Sequence, residues 1–253
     1  MNKTIPVVYL ALALTWAGCR EKSETGASLS SGEKVNFEVL DSSATGITFR
    51  NDLNPNNERN IFSYMYYYNG AGVATGDLNN DGLDDIVLPS NEGKNKIYVN
   101  KGNLKFEDVS VAAKFDFEGF STGVNITDVN NDGLKDIYVC QVDFPPVLSG
   151  KNRLFVCEKI LADGTPVYSE QAEAYGLAFK GFSTQSAFFD YDLDGDLDMF
   201  LLNHSVHKNG TFGERSRNLG KYHPTAGDRI FNRQNNKFVD VTTSTGIINW
   251  IIF

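Results

Sequence analysis

The sequence is poor in positive charge. Its 253 residues include 23 lysines and arginines against 32 aspartates and glutamates, which gives a formal net charge of −9. A surface that binds nucleic acid needs a basic stripe that can follow the phosphates, and this chain has none. The composition therefore predicts no nucleic-acid partner.

A metal-dependent catalytic motif is also lacking. The three histidines, His204, His207 and His223, do not form the His-Glu-x-x-His spacing that binds catalytic zinc. They fall in a polar, glycine-rich insertion at 203–227, which we interpret as a surface loop; a ligand-contacting loop is the alternative, because function often resides on loops. With no catalytic constellation, we predict that the chain is not an enzyme.

The apolar run near the start is short. Residues 7–14 cannot span a bilayer, but they follow a positively charged start and are typical of an export signal. Small residues then precede Cys19, which resembles a lipoprotein signal whose cleavage leaves an acylated cysteine. We therefore predict a lipoprotein-type signal at 1–19 with lipidation of Cys19, an ordinary signal peptide being the alternative. A disordered tether is predicted at 20–34.

What the sequence does contain is one acidic phrase in three copies, which begin at Asp77, Asp128 and Asp190. Each copy has side-chain oxygens at positions 1, 3, 5 and 9 and glycine at position 6. In a tight loop, alternate side chains can share one centre, and glycine allows the turn with φ > 0. With the position-7 carbonyl added, such a loop offers the oxygen ligands, about six to eight, that Ca²⁺ takes. The cation would also offset repulsion among the carboxylates.

Two other interpretations of the phrase are weaker. Asp, Asn and Gly are ordinary turn residues, but three copies in the same phase indicate a structural repeat. An EF-hand needs glutamate at position 12 and a following helix. Position 12 here is Leu88, Val139 and Leu201, and each lies in an apolar run of strand character.

The repeat extends beyond the acidic phrase. The copies are 51 and 62 residues apart, and each is followed by two apolar segments and then by an aromatic residue close to an acid. One unit is therefore predicted to hold four short strands, with the metal loop between the first and the second. Such units, which must be covered on both faces, are typical of propeller blades; a β-sandwich is the alternative.

Three features lie outside this pattern or leave alternatives open. Residues 35–60 are predicted to contain two lead-in strands, one at 35–40 and one at 46–49. The tyrosine-rich stretch 61–68 is interpreted as packing at a sheet edge, with stacking on sugar rings as the alternative. Cys140 and Cys157 fall on neighbouring predicted strands and could form a disulfide or remain two buried thiols.

The phrase from Gly72 to Ile86 resembles the FG-GAP/VCBS repeat of integrin α-subunit propellers and of many bacterial surface proteins. With the lipoprotein-like start and the phrase from Thr45 to Phe49, the chain resembles the N-terminal part of ASPIC/UnbV-type exported proteins. The resemblance implies an all-β fold, a seven- or eight-bladed propeller with Ca²⁺ in its loops. Because three blades are too few to close, we expect a partial β-propeller of about three four-stranded blades.

The repeats are expected over 61–253, with blades at about 61–115, 116–178 and 179–248 and a fourth blade cut off at its start. The resemblance also implies about three Ca²⁺ ions, held by side chains at positions 1, 3, 5 and 9 and by the backbone carbonyl at position 7. The implied metal ligands are Asp77, Asn79, Asp81, Leu83 and Asp85; Asp128, Asn130, Asp132, Leu134 and Asp136; and Asp190, Asp192, Asp194, Asp196 and Asp198.

Two functions follow as expectations. The first is a non-enzymatic, calcium-binding scaffold of an exported outer-membrane lipoprotein, which faces the periplasm or the cell surface. It would be held in the membrane through Cys19 and would bind a protein or glycan partner. The second is a polysaccharide-cleaving enzyme built on a calcium-bearing propeller, with a cleft formed by residues 64–68 and the insertion at 203–227.

Overall fold

The computed structural model describes residues 38–205 and 223–247. The chain divides into two units, Met1–Val39 and Leu40–Phe253, and the fold described below is that of the second. The predicted signal with Cys19, the tether, most of the insertion at 203–227 and the last six residues lie outside the described residues.

Twelve short strands and three four-residue helices form the described part of the chain. No helix within residues 38–205 and 223–247 is long and apolar enough to cross a membrane. The bounds in chain order are α1 Ser42–Thr45, β1 Ala74–Gly76, β2 Asp85–Leu88, β3 Lys96–Asn100, β4 Phe106–Asp108, β5 Ser121–Thr127, β6 Asp136–Gln141, β7 Arg153–Ile160, β8 Pro166–Glu170, α2 Ala172–Tyr175, β9 Ser183–Phe189, β10 Asp198–Asn203, β11 Arg229–Gln234, β12 Lys237–Asp240 and α3 Thr242–Thr245.

The strands form three antiparallel sheets of four strands each, in sequence order. We call β1–β4 sheet 1, β5–β8 sheet 2 and β9–β12 sheet 3. In every sheet the first strand lies at an edge, and the second and third strands are central. The predicted all-β fold, with three four-stranded units as in a partial propeller, is confirmed.

Sheet 2 is buried on both faces. Ile137 and Val139 of β6 pack with Val87 of sheet 1, whereas Tyr138 packs with Met199 of sheet 3. The continuous apolar run of β6 reflects this two-sided burial. Each fully buried aliphatic side chain contributes about 1.5–3 kcal/mol to the stability of the fold. One hydrophobic core thus lies between sheets 1 and 2 and another between sheets 2 and 3, and together they hold the three sheets in one stack.

The two cysteines of sheet 2 are free thiols on opposite faces. The register pairs Ile137 with Phe155, and Cys157 shares their face toward sheet 1, whereas Cys140 faces sheet 3. Burial raises the pKa of Cys140 to about 12 and that of Cys157 to about 11. Of the two alternatives, the buried thiols are correct, because neighbouring strands present these side chains to different cores.

The lead-in strand predicted at 46–49 is wrong, and no strand forms in the described residues 38–60. A short helix, α1, forms directly before residues 46–49. Asp41 is its N-cap and accepts the amide hydrogen of Ser43 at 2.8 Å, while Gly46 ends it with φ 83°. These caps confine the helix to the four residues ahead of the predicted strand.

Beyond α1 the chain lies against sheet 1 without joining it. The amide of Thr48 donates to the hydroxyl of Tyr98 in β3 at 3.2 Å. The backbone at Gly46 approaches the carbonyl of Phe106 in β4 so closely that a Cβ would not fit. A side-chain hydroxyl thus receives the amide hydrogen that strand pairing would have used.

Candidate metal centres

The three acidic loops connect the first and second strands of the three sheets. We call residues 77–85 loop 1, residues 128–136 loop 2 and residues 190–198 loop 3. In every loop, position 9 is the first residue of the second strand. Each loop therefore leads into a strand, as predicted, and the helix that an EF-hand requires is not formed.

Position 1 closes each loop. Asp77 accepts hydrogen bonds from the amides of Asp81 and Gly82, at 3.0 and 2.8 Å. Asp128 and Asp190 accept the corresponding amides of their own loops at distances between 2.9 and 3.2 Å. One carboxylate thus fixes the turn at positions 5 and 6 in all three copies.

Two positions in each loop have a left-handed backbone. The position-6 glycines have φ between 84° and 95°, as predicted. Position 4 is left-handed too, a feature that the sequence pattern did not reveal. Asn80 and Asn131 both have φ 59° and Leu193 has φ 63°. Asparagine adopts this conformation readily, whereas leucine does so at a cost of about 1–2 kcal/mol.

In loops 1 and 2, an asparagine at position 3 supports the carboxylate at position 5. Nδ2 of Asn79 donates to Asp81 at 3.0 Å, and Nδ2 of Asn130 donates to Asp132 at 2.8 Å. The second oxygen of each aspartate accepts the position-7 amide, at 2.9 and 2.8 Å. These two loops therefore satisfy their position-5 carboxylates internally.

Loop 3 has Asp192 at position 3 and concentrates more negative charge. Carboxylate oxygens of Asp190, Asp192 and Asp194 all lie within 4.8 Å of one another. Asp192 cannot donate a hydrogen bond; it accepts one from Nδ2 of Asn232 in β11, at 2.8 Å. Oδ1 of Asp196 is shielded from solvent and has no hydrogen-bond partner among the described residues. A cation would relieve both the repulsion and the unpaired oxygen.

Position 9 is buried and ties the loop to two strands. The carboxylate of Asp136 accepts the amides of Val129, at position 2, and of Cys157 in β7, at 2.8 and 2.9 Å. Asp85 and Asp198 accept amides of the loop and of the third strand in the same way. Burial raises the pKa of Asp136 to about 6 and also raises the pKa of Asp85 and Asp198.

The donor set suits a hard cation. Hydrogen bonds link positions 1, 3 and 5 in loops 1 and 2. In loop 3 the carboxylates at these three positions lie within 4.8 Å of one another. Carboxylates and carbonyls have further acceptor lone pairs, and a ligand set made only of oxygen atoms favours Ca²⁺ or Mg²⁺ over softer metals. The structure therefore brings the side chains at positions 1, 3 and 5 together, whereas the position-9 carboxylate is bonded to backbone amides, and Asp198 is not part of the carboxylate cluster of loop 3.

One phrase that resembles a catalytic motif has a structural role. The prediction that the sequence has no catalytic constellation missed residues 119–123, which have the letters Gly-x-Ser-x-Gly, the pattern of an exposed nucleophile turn. Ser121, however, is fully buried at the start of β5, and Nε2 of Gln141 donates to its hydroxyl at 3.2 Å. This serine therefore packs between strands and is not presented as a nucleophile.

These sheets and loops define a class: a repeat protein of antiparallel four-stranded sheets, each with an acidic loop after its first strand. Residues 77–139, from loop 1 into β6, match the family model described as an FG-GAP-like repeat. This confirms the predicted FG-GAP-type repeat for that part of the chain.

Curated proteins are similar in sequence to part of this chain. It is 30% identical over 138 residues to cartilage acidic protein 1 of Homo sapiens, a match that covers 53% of this chain and 20% of that protein. The Mus musculus protein of the same name is 29% identical over 138 residues, which cover 21% of it. Integrin alpha-4 of Xenopus laevis is 26% identical over 148 residues, 51% of this chain and 13% of that protein. The chain thus spans about a fifth or less of these relatives.

Proposed function

We propose that the chain is a non-enzymatic, calcium-binding scaffold of the β-propeller type. The observation that carries this proposal is the hydrogen-bond pattern shared by the three loops, in which position 1 accepts the same two amides each time. A turn conserved in geometry at three places, built from oxygen donors alone, suits one Ca²⁺ per loop. The ligands would be the side chains at positions 1, 3, 5 and 9 and the carbonyl at position 7.

The proposed role of the ion is to stabilise the sheets. Each loop joins the first strand to the second, and position 9 also bonds to the third strand. An ion that neutralises the loop carboxylates would therefore hold three strand ends in place. We further propose blade bounds of 61–115, 116–178 and 179–248, which enclose sheets 1, 2 and 3.

We propose that the protein is exported, is anchored in the outer membrane through a lipidated Cys19, and binds a protein or glycan partner at the periplasmic or cell-surface side. The signal-like sequence at 1–19 supports export. By their names, the matched relatives are an integrin subunit and a cartilage protein, which supports a role outside the cytoplasm.

Thermal unfolding of the full chain tests the calcium proposal. A ligand that binds only the folded state stabilises it by about 2.7 kcal/mol per site at 100 times its Kd. We therefore expect Tm to rise with Ca²⁺ and to fall when EGTA is added. Mg²⁺ should raise Tm less, because it demands a near-octahedral shell and keeps its water. Equal Tm in Ca²⁺ and in EGTA would refute the proposal.

A polysaccharide-cleaving activity is the alternative, and one contact favours it. The hydroxyl of Tyr64 lies 2.7 Å from Nε2 of His204, and both residues belong to the cleft predicted for that activity. A phenol and an imidazole within hydrogen-bond reach can exchange a proton. Incubation with acidic polysaccharides tests this alternative. The scaffold proposal expects no unsaturated product, whereas product that disappears in Tyr64→Phe would establish the enzyme.

A further inference from the structure

A cavity of about 180 Å³ lies at the end of the first strands opposite the acidic loops. Thr122 in β5 is separated from loop 2 by the rest of that strand, roughly 20 Å at about 3.3 Å per residue. The cavity is lined by the segment before β1 and by residues of sheets 2 and 3. The lining residues used below are Tyr64, Tyr66 and Asn69 from that segment, Thr122 of β5, Thr184 of β9, and His204 directly after β10.

The histidine in the cavity wall is a neutral acceptor. Nδ1 of His204 lies 2.8 Å from the carbonyl oxygen of Ser205, and because a carbonyl only accepts, Nδ1 carries the hydrogen. Burial lowers the pKa of His204 to about 4, so the ring is uncharged at neutral pH. Nε2 therefore accepts the hydroxyl hydrogen of Tyr64 at 2.7 Å.

The two threonine hydroxyl groups that line the cavity also donate their hydrogens to backbone carbonyls. Thr122 donates to the carbonyl of Ser183 at 2.7 Å, and Thr184 donates to the carbonyl of Leu202 at 3.0 Å. Each hydroxyl oxygen, like that of Tyr64, keeps acceptor lone pairs. At Tyr64, Thr122 and Thr184 a ligand would therefore bind by donating hydrogen bonds, while Asn69 in the same lining has a side-chain amide that can donate.

The wall combines these acceptors with aromatic surface. The rings of Tyr66 and His204 lie with their centroids 4.2 Å apart, and Tyr66 is half-buried. Behind them, Phe120 and Phe182 are buried in the same core cluster as Tyr64. A ligand for this cavity therefore needs both hydroxyl donors and a carbon face that can lie against aromatic rings.

The charge of the lining residues and the volume of the cavity further limit which ligands can bind. Among the described residues that line the cavity, none carries a charge at neutral pH, since they are tyrosine, threonine, asparagine, glycine, alanine and the neutral histidine. A charged ligand would lose its hydration without gaining a counter-charge. An apolar cavity of about 150 Å³ holds one six-membered ring such as benzene, so the cavity here has the size for a single ring.

We propose that this cavity binds one neutral pyranose unit of a glycan, with sugar hydroxyls donating to Tyr64, Thr122 and Thr184 and the carbon face of the sugar against Tyr66. The inference rests on the glycan partner proposed above and names its chemical class. The proposed sugar site lies at one end of the first strands, and the proposed cation sites lie in the loops at the other end.

Saturation-transfer NMR on the full chain with Ca²⁺ present tests the proposal. The probes are the methyl glycosides of glucose, galactose and mannose, each paired with the corresponding uronic acid, which has the same ring and adds a carboxylate. We expect signal from at least one neutral sugar and at least tenfold weaker binding of its uronic acid. Equal binding of both members of a pair, or no binding of any neutral sugar, would overturn the proposal.

Two variants and one control test whether the sugar binds in this cavity. Thr184→Val removes one acceptor at nearly constant volume and should weaken the bound sugar about tenfold, the equivalent of about 1.4 kcal/mol. Tyr66→Ala should abolish binding. The control is Thr75→Val, the same change on the exposed face of β1 outside the cavity, which should leave affinity unchanged. Unchanged affinity in a folded Thr184→Val would contradict the assignment, even if Tyr66→Ala failed to fold.

The two proposals can fail separately. If no neutral sugar binds but Ca²⁺ raises Tm, the cavity assignment is wrong and the calcium scaffold stands. If sugar binds but Ca²⁺ leaves Tm unchanged, the calcium proposal is wrong and the cavity stands. Because the two ends are separated by the length of the first strands, we expect EGTA to leave sugar affinity unchanged below the melting temperature.

Discussion

Loops 1 and 2 differ from loop 3 in how they balance their charge. In the first two loops, Asn79 and Asn130 donate to the neighbouring carboxylate and keep it satisfied within the loop. In loop 3, Asp192 adds a carboxylate instead and takes its hydrogen bond from Asn232, 40 residues along the chain. The same turn is therefore supported from within in two copies and from a neighbouring strand in the third.

The comparison shows which parts of the motif are structural. Positions 1 and 9 accept the corresponding backbone amides in all three loops, and the position-6 glycine has the same left-handed backbone, whereas the residue types at positions 3 and 4 vary. The constant positions fix the turn. The variable positions set its charge and its backbone strain, which is where we expect the three sites to differ.

The largest effect is expected at a constant position. Asp136→Ala removes the acceptor for two buried amides, those of Val129 and Cys157, and should lower the free energy of unfolding by about 3 kcal/mol. Urea unfolding in EGTA measures this without any contribution from metal. Asp198→Ala in loop 3 should cost about as much, and a much smaller cost there would show that the loops differ in their structural positions too.

The exposed Asp132→Ala is the control for that experiment, since it changes the same loop. In EGTA it should cost less than about 1 kcal/mol, because its partners can bond to water instead. A loss as large as that of Asp136→Ala would mean that the whole loop, and not position 9, carries the stability.

The second prediction concerns the order in which the sites fill. At positions 1, 3, 5 and 9, loop 3 has four carboxylates and each of the other loops has three. Ligand charge tunes calcium affinity, so loop 3 should fill first. By calorimetric titration, Asp194→Asn should weaken the tightest binding step about tenfold, or ~1.4 kcal/mol, whereas Asp81→Asn should leave that step unchanged. Equal losses from both would remove the distinction between the loops.

The smallest effect is expected at position 4. Leu193 has φ 63° and its side chain is 87% exposed, so it has backbone strain and little packing to lose. Leu193→Asn should therefore raise the free energy of unfolding by about 1 kcal/mol, seen as a higher Tm. The reverse change, Asn80→Leu in loop 1, should lower it by a similar amount. If Leu193→Asn left the free energy of unfolding unchanged, the strain at position 4 would be relieved elsewhere.

The parts of the molecule that were predictable from sequence are those encoded locally. The spacing of Asp77, Asp81 and Gly82 fixes a turn through contacts of four and five residues, and the apolar runs after each loop fix the second strands. Both were predicted. The turn and the acidic side chains of each loop can therefore be predicted from nine consecutive residues.

What could not be predicted depends on distant contacts. Loop 3 accepts hydrogen bonds from the amide of Arg233 and from the side chain of Asn232, which lie 35 to 40 residues further along the chain. No local sequence pattern predicts these two contacts. The lead-in strand failed because the hydroxyl of Tyr98, 50 residues away, accepts the amide of Thr48. The pairing of Tyr64 with His204 spans 140 residues, so the sequence could suggest a cleft between these two segments but could not predict the contact or the strand residues that line the cavity with them.

The central claim is that each loop holds one Ca²⁺, and equilibrium dialysis with metal analysis tests it most directly. The wild-type chain should retain about three ions, one for each loop, and the double variant Asp190→Ala/Asp194→Ala should retain one fewer while staying folded. A chain that retains no Ca²⁺ at millimolar free concentration, or a double variant that retains as much as the wild type, would contradict the account.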